Sequence, residues 1–265
     1  VVLCQIVRAE GSTPGKPGWK LLARPDGSAF GNLGGGAFEA MVKADALAKL
    51  ERNGTETNEV KRYYFTEDAV KGEPTGMVCG GMAEVFLEVM TAPPVLVICG
   101  GGPVGQALAR AGALAGFELL VVDDRADFRD PALFPAGARF AAVGRDYEEP
   151  FLAGLRNRDV HVAVVTRCWE TDTAALLGVL RENRREDPPG LRYLGLMGSR
   201  RKIARVREEV AARGGDLDKW RLHAPIGLPI GGDSPGEIAV SIVAEIIATR
   251  YEEGRNAKGA EEKDV

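Results

Sequence analysis

The sequence predicts an α/β protein: a small N-terminal α+β domain followed by a Rossmann-like domain built on a doubly wound parallel sheet. Three observations lead there. A glycine turn, Gly100 to Gly105, stands between an apolar strand and a helix-like run. After it, strand-like and helix-like segments alternate, which is the pattern of a parallel sheet. Before residue 91 the pattern differs, with short β-like runs and glycine turns surrounding a single helical stretch.

The elements follow in order. "VVLCQIVRAEG" opens as a strand, and "LLARPDGSAFGNL" reads as strand, turn and strand around Pro25-Asp26-Gly27. In "GGGAFEAMVKADALAKLERNG" the period changes. Phe38, Met41, Val42, Leu47 and Leu50 fall near helical spacing, and Gly54 ends the run. "RYYFT" and "AEVFLEVM" are further strands and complete a domain over residues 1–90. "TAPP" (91–94) is a linker, because two prolines do not suit a central strand. From residue 95, "VLVICGGGPVGQALARAGALAGFELLVVDD" reads strand, glycine turn, helix, strand. "ARFAAV" is then a strand, "YEEPFLAGLRNR" a helix and "VHVAVVT" a strand. "ETDTAALLGVLREN" is a helix, "RYLGLMG" a strand and "SRRKIARVREEVAARGG" a helix. "RENRREDPPG" is a charged surface loop. "SPGEIAVSIVAEIIATRY" closes the domain as a helix, with Ser234 at the N-cap, Pro235 at the first helical position and Glu237 completing a capping box. The Rossmann-like domain therefore spans 95–252. The charged tail 253–265 lacks apolar periodicity and is expected to fray.

Composition excludes several classes. The 34 basic and 38 acidic residues give a net charge of −4, with no footprint for nucleic acid. No apolar run approaches the roughly 18–20 residues of a membrane helix. The N-terminus has neither the basic region nor the cleavage site of a signal peptide. It begins without Met inside a strand-like run, so residues are expected upstream. Cys4, Cys79, Cys99 and Cys168 are scattered, with no metal-ligand spacing or disulfide framework, which points to a reducing cytoplasm. Two histidines, His161 and His223, do not make a His-rich metal site.

Four places can carry chemistry. Gly100, Gly102 and Gly105 form G-x-G-x-x-G after a strand and before a helix, and Asp123 ends the next strand. The glycines permit close approach of a phosphate to backbone N–H groups at a helix start, and Asp123 or Asp124 would accept from a ribose hydroxyl. The same fingerprint also occurs on scaffolds that hold no nucleotide. Gly34, Gly35 and Gly36 precede the N-terminal helix and leave N–H groups for an anion, or else mark a flexible turn or a close backbone crossing. Cys79 stands before Gly80 and Gly81, either as a reachable thiolate or as a small buried side chain. Cys168 ends another strand and is a second candidate thiol, whereas Cys99 and Cys4 read as core. Ser199 caps a helix whose first turn carries Arg200, Arg201 and Lys202. Three cations there oppose the helix dipole and suit an anionic ligand, or else form a solvated charge run. His223 lies in a long Gly/Pro-rich loop, 222–237, where it is a ligand-site residue or a structural hydrogen-bonder. No nucleophile elbow, Walker loop or H-E-x-x-H is present.

"IVRAEGSTPGKPGWKLL", "FGNLGGGAFEA", "GMVCGGMAEVFLE", "VVDDRADFRDPALFP", "LGLMGSRRK" and "HAPIGLPIGGDSPGEIAVSIVAEI" together resemble the xanthine dehydrogenase accessory protein family, the XdhC/CoxI-like maturation factors. The resemblance implies a dimeric, cytoplasmic chaperone. It would bind the molybdenum cofactor (molybdopterin), shield it while a cysteine desulfurase supplies sulfur, and insert it into a molybdenum hydroxylase apoenzyme. It implies a cofactor site on the glycines above, Asp123, Ser199, Arg200, Arg201, Lys202 and His223, with the Cys79 thiol toward the metal. Some family positions differ: Pro103 and Trp169 stand where relatives often have His, Ala37 where some have Cys, and Pro229 where relatives show Asp.

The leading expectation is thus a carrier rather than a catalyst. The alternative is an NAD(P)-dependent oxidoreductase using Gly100–Gly105 and Asp123, and a third reading is a Rossmann scaffold used for partner docking. NAD(P) is not the expected ligand.

Overall fold

The structure, a computed structural model, describes residues 1–51, 58–65, 73–74, 80–155, 158–182 and 190–261, without the side chains of 51, 73–74 and 252–261. The chain divides into two compact units, Val1–Thr91 and Ala92–Val265.

The first unit holds β1 (Val2–Glu10), β2 (Lys20–Ala23), β3 (Ala29–Gly31), α1 (Gly36–Glu51), β4 (Glu59–Tyr64), β5 (Glu73–Pro74) and β6 (Met82–Val89). The strands form one sheet in the order β3-β2-β1-β6-β4-β5. Alternation fixes the core. Cys4 and Ile6 of β1, and Ala83, Val85 and Leu87 of β6, point to the same buried side. Phe38, Val42 and Ala46 of α1 join that cluster. Phe38 meets Tyr63 and Phe65 edge-on, at 5.5 and 5.1 Å between ring centroids. Each such buried aromatic stabilises the unit by about 2–3 kcal/mol. Lys49, in the last turn of α1, is buried and paired with Glu59 at 2.8 Å.

The second unit holds β7 (Val95–Cys99), α2 (Pro103–Leu114), β8 (Glu118–Asp123), β9 (Arg139–Ala142), β10 (Asp159–Val164), α3 (Trp169–Glu182), β11 (Gly190–Leu196), α4 (Arg200–Ala212) and α5 (Pro235–Glu261). Every strand pair is parallel, in the order β11-β10-β7-β8-β9. Two consecutive strands, β9 and β10, lie on opposite sides of β7, so the switch point falls beside β7. β7 is buried along its whole length, as a central parallel strand covered on both faces must be. Val95, Val97 and Cys99 enter the core cluster shared with α3 and α4. Leu96 and Ile98 enter the one shared with α2 and α5.

The helix expected over 147–158 does not form among the described residues. Tyr147, Phe151 and Leu155 are buried at helical spacing, but as successive turns. Tyr147 takes φ +52, and the buried Glu182 carboxylate accepts the N–H groups of Phe151 and Leu152 at 2.9–3.1 Å. That carboxylate, at the end of α3, replaces the helical acceptors. At the other end, α5 runs to Glu261, where fraying was expected after residue 252. Arg, Ala, Lys and Glu dominate that stretch and are good helix formers. The start of α5 follows the expected capping box: Ser234 N–H and Oγ both meet Glu237 Oε2, at 3.0 and 2.6 Å.

The 222–226 segment runs along β11. Leu196 N–H donates to His223 O at 2.9 Å, His223 N–H to Leu194 O at 2.9 Å, and Ile226 N–H to Leu196 O at 3.0 Å. Among the described residues no helix is long and apolar enough to cross a membrane.

Candidate functional site: the carboxyl edge of the parallel sheet

The turn after β7 is glycine-rich for two different reasons. A Cβ on Gly101 would lie 2.1 Å from Phe128 O, and one on Gly105 would lie 1.9 Å from Gly100 O. Those two are glycine because the backbone packs against itself. A Cβ on Gly102 would meet nothing within 4 Å, so Gly102 leaves open space at the start of α2. Gly102 is the N-cap, no side chain caps the helix there, and Pro103 stands at its first position. An α-helix leaves first-turn N–H groups without an intrahelical partner, and the positive end of its dipole lies at that same start.

Asp123 carries an internal load. Its Oδ2 accepts the Gly101 N–H at 2.8 Å. Arg125 grips both oxygens through Nε and Nη2, each at 2.9 Å, and adds its own N–H at 2.9 Å. The residue is 1% exposed. It ties the glycine turn to β8 and leaves little capacity for a ribose hydroxyl. Its neighbour Asp124 forms a two-pronged pair with Arg167, which follows β10, at 2.6 and 2.7 Å. This pairing brings the Asp124 carboxyl down to about 2 and raises the guanidinium further.

Beyond β10, Thr166, Thr171 and Asp172 form a buried cluster. Thr166 Oγ1 lies 2.6 Å from both Thr171 Oγ1 and Asp172 Oδ1. Lys202 Nζ stands 2.5 Å from Asp172 Oδ2 and donates to Met197 O at 3.1 Å. Burial pushes the Asp172 carboxyl up, against the opposing pull of Lys202 and Thr166. The pair joins the first turns of α3 and α4. Cys168 is half-buried, with Sγ 3.3 Å from Thr171 Oγ1. Cys99 is buried, which pushes its thiol up, and Cys4 in the first unit is pushed up to about 12.

The predicted cation cluster thus divides. Lys202 turns inward, while Arg200 and Arg201 are exposed. Ser199 caps α4, its Oγ accepting the Lys202 N–H at 3.3 Å. His223 stacks on Tyr193 at 4.5 Å between centroids, and its Nδ1 lies 3.4 Å from Glu245 Oε1. It sits beside β11, two strands from β7.

In the first unit the glycine-rich segments converge on one loop. A Cβ on Gly81 would lie 2.2 Å from Ser12 O, one on Gly15 2.2 Å from Leu33 O, and one on Gly34 2.5 Å from the Pro14 carbonyl carbon. The 11–18 loop therefore gathers Gly34–Gly36 and Gly80–Gly81. Gly34, Gly35 and Gly36 all take positive φ. Two of their donors are already taken: Gly34 N–H by Asn32 Oδ1, and Gly35 N–H by Glu39 Oε2 at 3.2 Å. Glu39 also accepts the Leu33 N–H at 2.9 Å. Around Gly35, Gly36 and Gly80 the space is open. Cys79 lies outside the described residues.

Glu39, Thr166, Arg167 and Asp172 were not singled out as site residues from the sequence. The signal for Arg167 was its position immediately after a strand, the same signal that drew attention to Cys168.

Two family models match the chain. "XdhC Rossmann domain" covers residues 96–246 and "XdhC and CoxI family" covers residues 1–63. An uncharacterized protein YqeB of Escherichia coli is 32% identical over 94% of this chain and 43% of its own length. A probable xanthine dehydrogenase subunit of Bacillus subtilis is 30% identical over 63% of this chain and 46% of its own length. The chain thus spans less than half the length of either relative. A crystal structure described as a xanthine dehydrogenase from Bacillus halodurans aligns with a TM-score of 0.48 and 21% identity, over 95% of this chain and 91% of that one.

Proposed function

Because the chain belongs to the XdhC and CoxI family, we propose that it serves the maturation of a molybdenum hydroxylase of the xanthine dehydrogenase type. A relative named as a xanthine dehydrogenase component supports that partner class. In this reading the chain is a carrier, dimeric and cytoplasmic. It holds the molybdenum cofactor as cargo, keeps it sheltered while a cysteine desulfurase delivers sulfur, and passes it to the apoenzyme.

The observation that carries the finer reading is Gly102. It leaves open space at an uncapped helix start, at the switch point of a parallel sheet. A phosphate fits such a place, because backbone N–H groups and the helix dipole favour an anion there. The residues present suit the cargo in that respect: Gly102 and the first turn of α2 would receive its phosphate, and exposed Arg200 and Arg201 add positive charge along the same edge. The pterin dithiolene, when bound, supplies the metal's sulfur ligands. Cys79, which lies outside the described residues, is proposed as the thiol near the metal.

The NAD(P)-dependent oxidoreductase is the weaker reading. Asp123, which ends β8, has both carboxylate oxygens engaged, by Arg125 and by the Gly101 N–H. The test is binding of isolated molybdenum cofactor to the purified chain and to Cys79→Ser, with NAD(P) titrated in parallel. The expected result is retention by the wild type and loss in the variant. Retention by both keeps the carrier and removes the thiol from the site. Binding of NAD(P) without cofactor retention would move the assignment to the oxidoreductase.

A further inference from the structure

The Asp124–Arg167 pair does more than join two loops. Asp124 follows β8, Arg167 follows β10, and β7 lies between those strands. The two side chains therefore meet across the carboxyl end of β7, where the Gly100–Gly102 turn lies. An extended ligand at a topological switch point runs along that same line. We propose that this pair is a clasp: it closes the crevice at rest, and a ligand carrying a phosphate group opens it by taking Arg167 from Asp124.

Three features support an exchange rather than a fixed strut. The guanidinium is the accessible partner, 35% exposed against 13% for the carboxylate, so an incoming anion meets Arg167 first. A phosphate offers the same pair of oxygens to the guanidinium fork as the carboxylate it displaces. Released Asp124 keeps a counter-ion, because Arg125 Nε already stands 3.9 Å from its Oδ1. Asp123 cannot substitute as the occupant of Arg167, since Gly101 and Arg125 hold both its oxygens. The bond from Arg167 holds the Asp124 carboxyl down at about 2, so protonation does not release the clasp near neutral pH. A competing anion does.

The inference rests on the reading that the crevice receives the cargo's phosphate, but its test is independent of that cargo. Inorganic pyrophosphate is titrated at constant ionic strength into the full chain, Asp124→Asn and Arg167→Gln. Asp124→Asn is expected to bind about tenfold tighter than the wild type, and Arg167→Gln at least about tenfold weaker than Asp124→Asn. Equal affinity of wild type and Asp124→Asn overturns the clasp, as does Arg167→Gln binding as tightly as Asp124→Asn. Should a variant fail to fold, the Nε resonance of Arg167 in the wild type supplies the second readout. A shift on adding pyrophosphate supports the exchange, and an unchanged resonance at saturation refutes it. Isolated molybdenum cofactor and NAD are titrated into the same proteins to separate the two sources of phosphate. If pyrophosphate follows the expected pattern and the molybdenum cofactor does not bind, the clasp stands and the maturation reading falls.

Discussion

Two glycine turns look alike in the sequence and are closed in different ways. Both precede a helix, and in both the chain's own carboxylate takes part of the backbone N–H set that an anion would otherwise use. At Gly34–Gly36 the carboxylate is Glu39, on the first turn of the helix that the glycines introduce. At Gly100–Gly102 it is Asp123, brought in from the neighbouring strand and held by Arg125. The first closure is local and partly exposed, whereas the second is tertiary and buried. A glycine turn declares in the sequence that N–H groups are free of side-chain cover. Which group takes them depends on what the fold brings alongside.

The largest test of that difference is steric. Gly105→Ala puts a methyl 1.9 Å from Gly100 O. It should cost about 4 kcal/mol or prevent folding, while Gly102→Ala in open space should cost less than about 1 kcal/mol in denaturant unfolding. Equal effects would mean that the turn does not pack against itself. Next, Asp123→Ala removes the acceptor for Gly101 and leaves Arg125 facing a void. A loss of about 3 kcal/mol is expected, and a loss below about 1 kcal/mol would make the buried closure no stronger than the local one.

Acid sharpens the contrast between the two units. His161 is buried on β10 with both ring nitrogens unpartnered, beside Phe117. Burial, with Arg250 and Arg192 against Asp159, lowers it to about 4. The folded state therefore binds fewer protons than the unfolded one. Stability from this group is fully present above about pH 6.5 and declines as pH falls toward 4, by about 3 kcal/mol in all. Asp172, pushed up by burial, opposes the trend at the acid end. Both histidines lie beyond Thr91, so amide exchange should show this loss in the Rossmann unit and not in the first. His161→Leu should flatten it, and a slope that survives the substitution assigns it to another group. The smallest effect belongs to Glu39→Ala, about 1 kcal/mol by thermal melting, as for a lost helix cap.

The alternating elements of the second unit were legible because parallel strands and their helices carry strong, separate periods. Ser234, Pro235 and Glu237 announced α5 through local chemistry alone. The segment 147–158 misled for a physical reason. Tyr147, Phe151 and Leu155 have helical spacing, but the N–H groups of Phe151 and Leu152 are claimed by Glu182, 31 and 30 positions away. Lys202 was read with Arg200 and Arg201 as one cation cluster. Only the fold shows that it faces Asp172, since that depends on where α3 and α4 meet. The same holds for Arg167, whose partner Asp124 is 43 positions away.

The loop around His223 drew attention by its length, and its backbone has a separate consequence. By bonding along β11 it covers the outward ladder of that edge strand, leaving β9 as the other border of the parallel sheet. An exposed strand edge invites another chain to continue the sheet. A sheet with two open borders can grow without limit, whereas one with a single open border can join one copy and then stop. The covered flank of β11 therefore acts against fibrous aggregation.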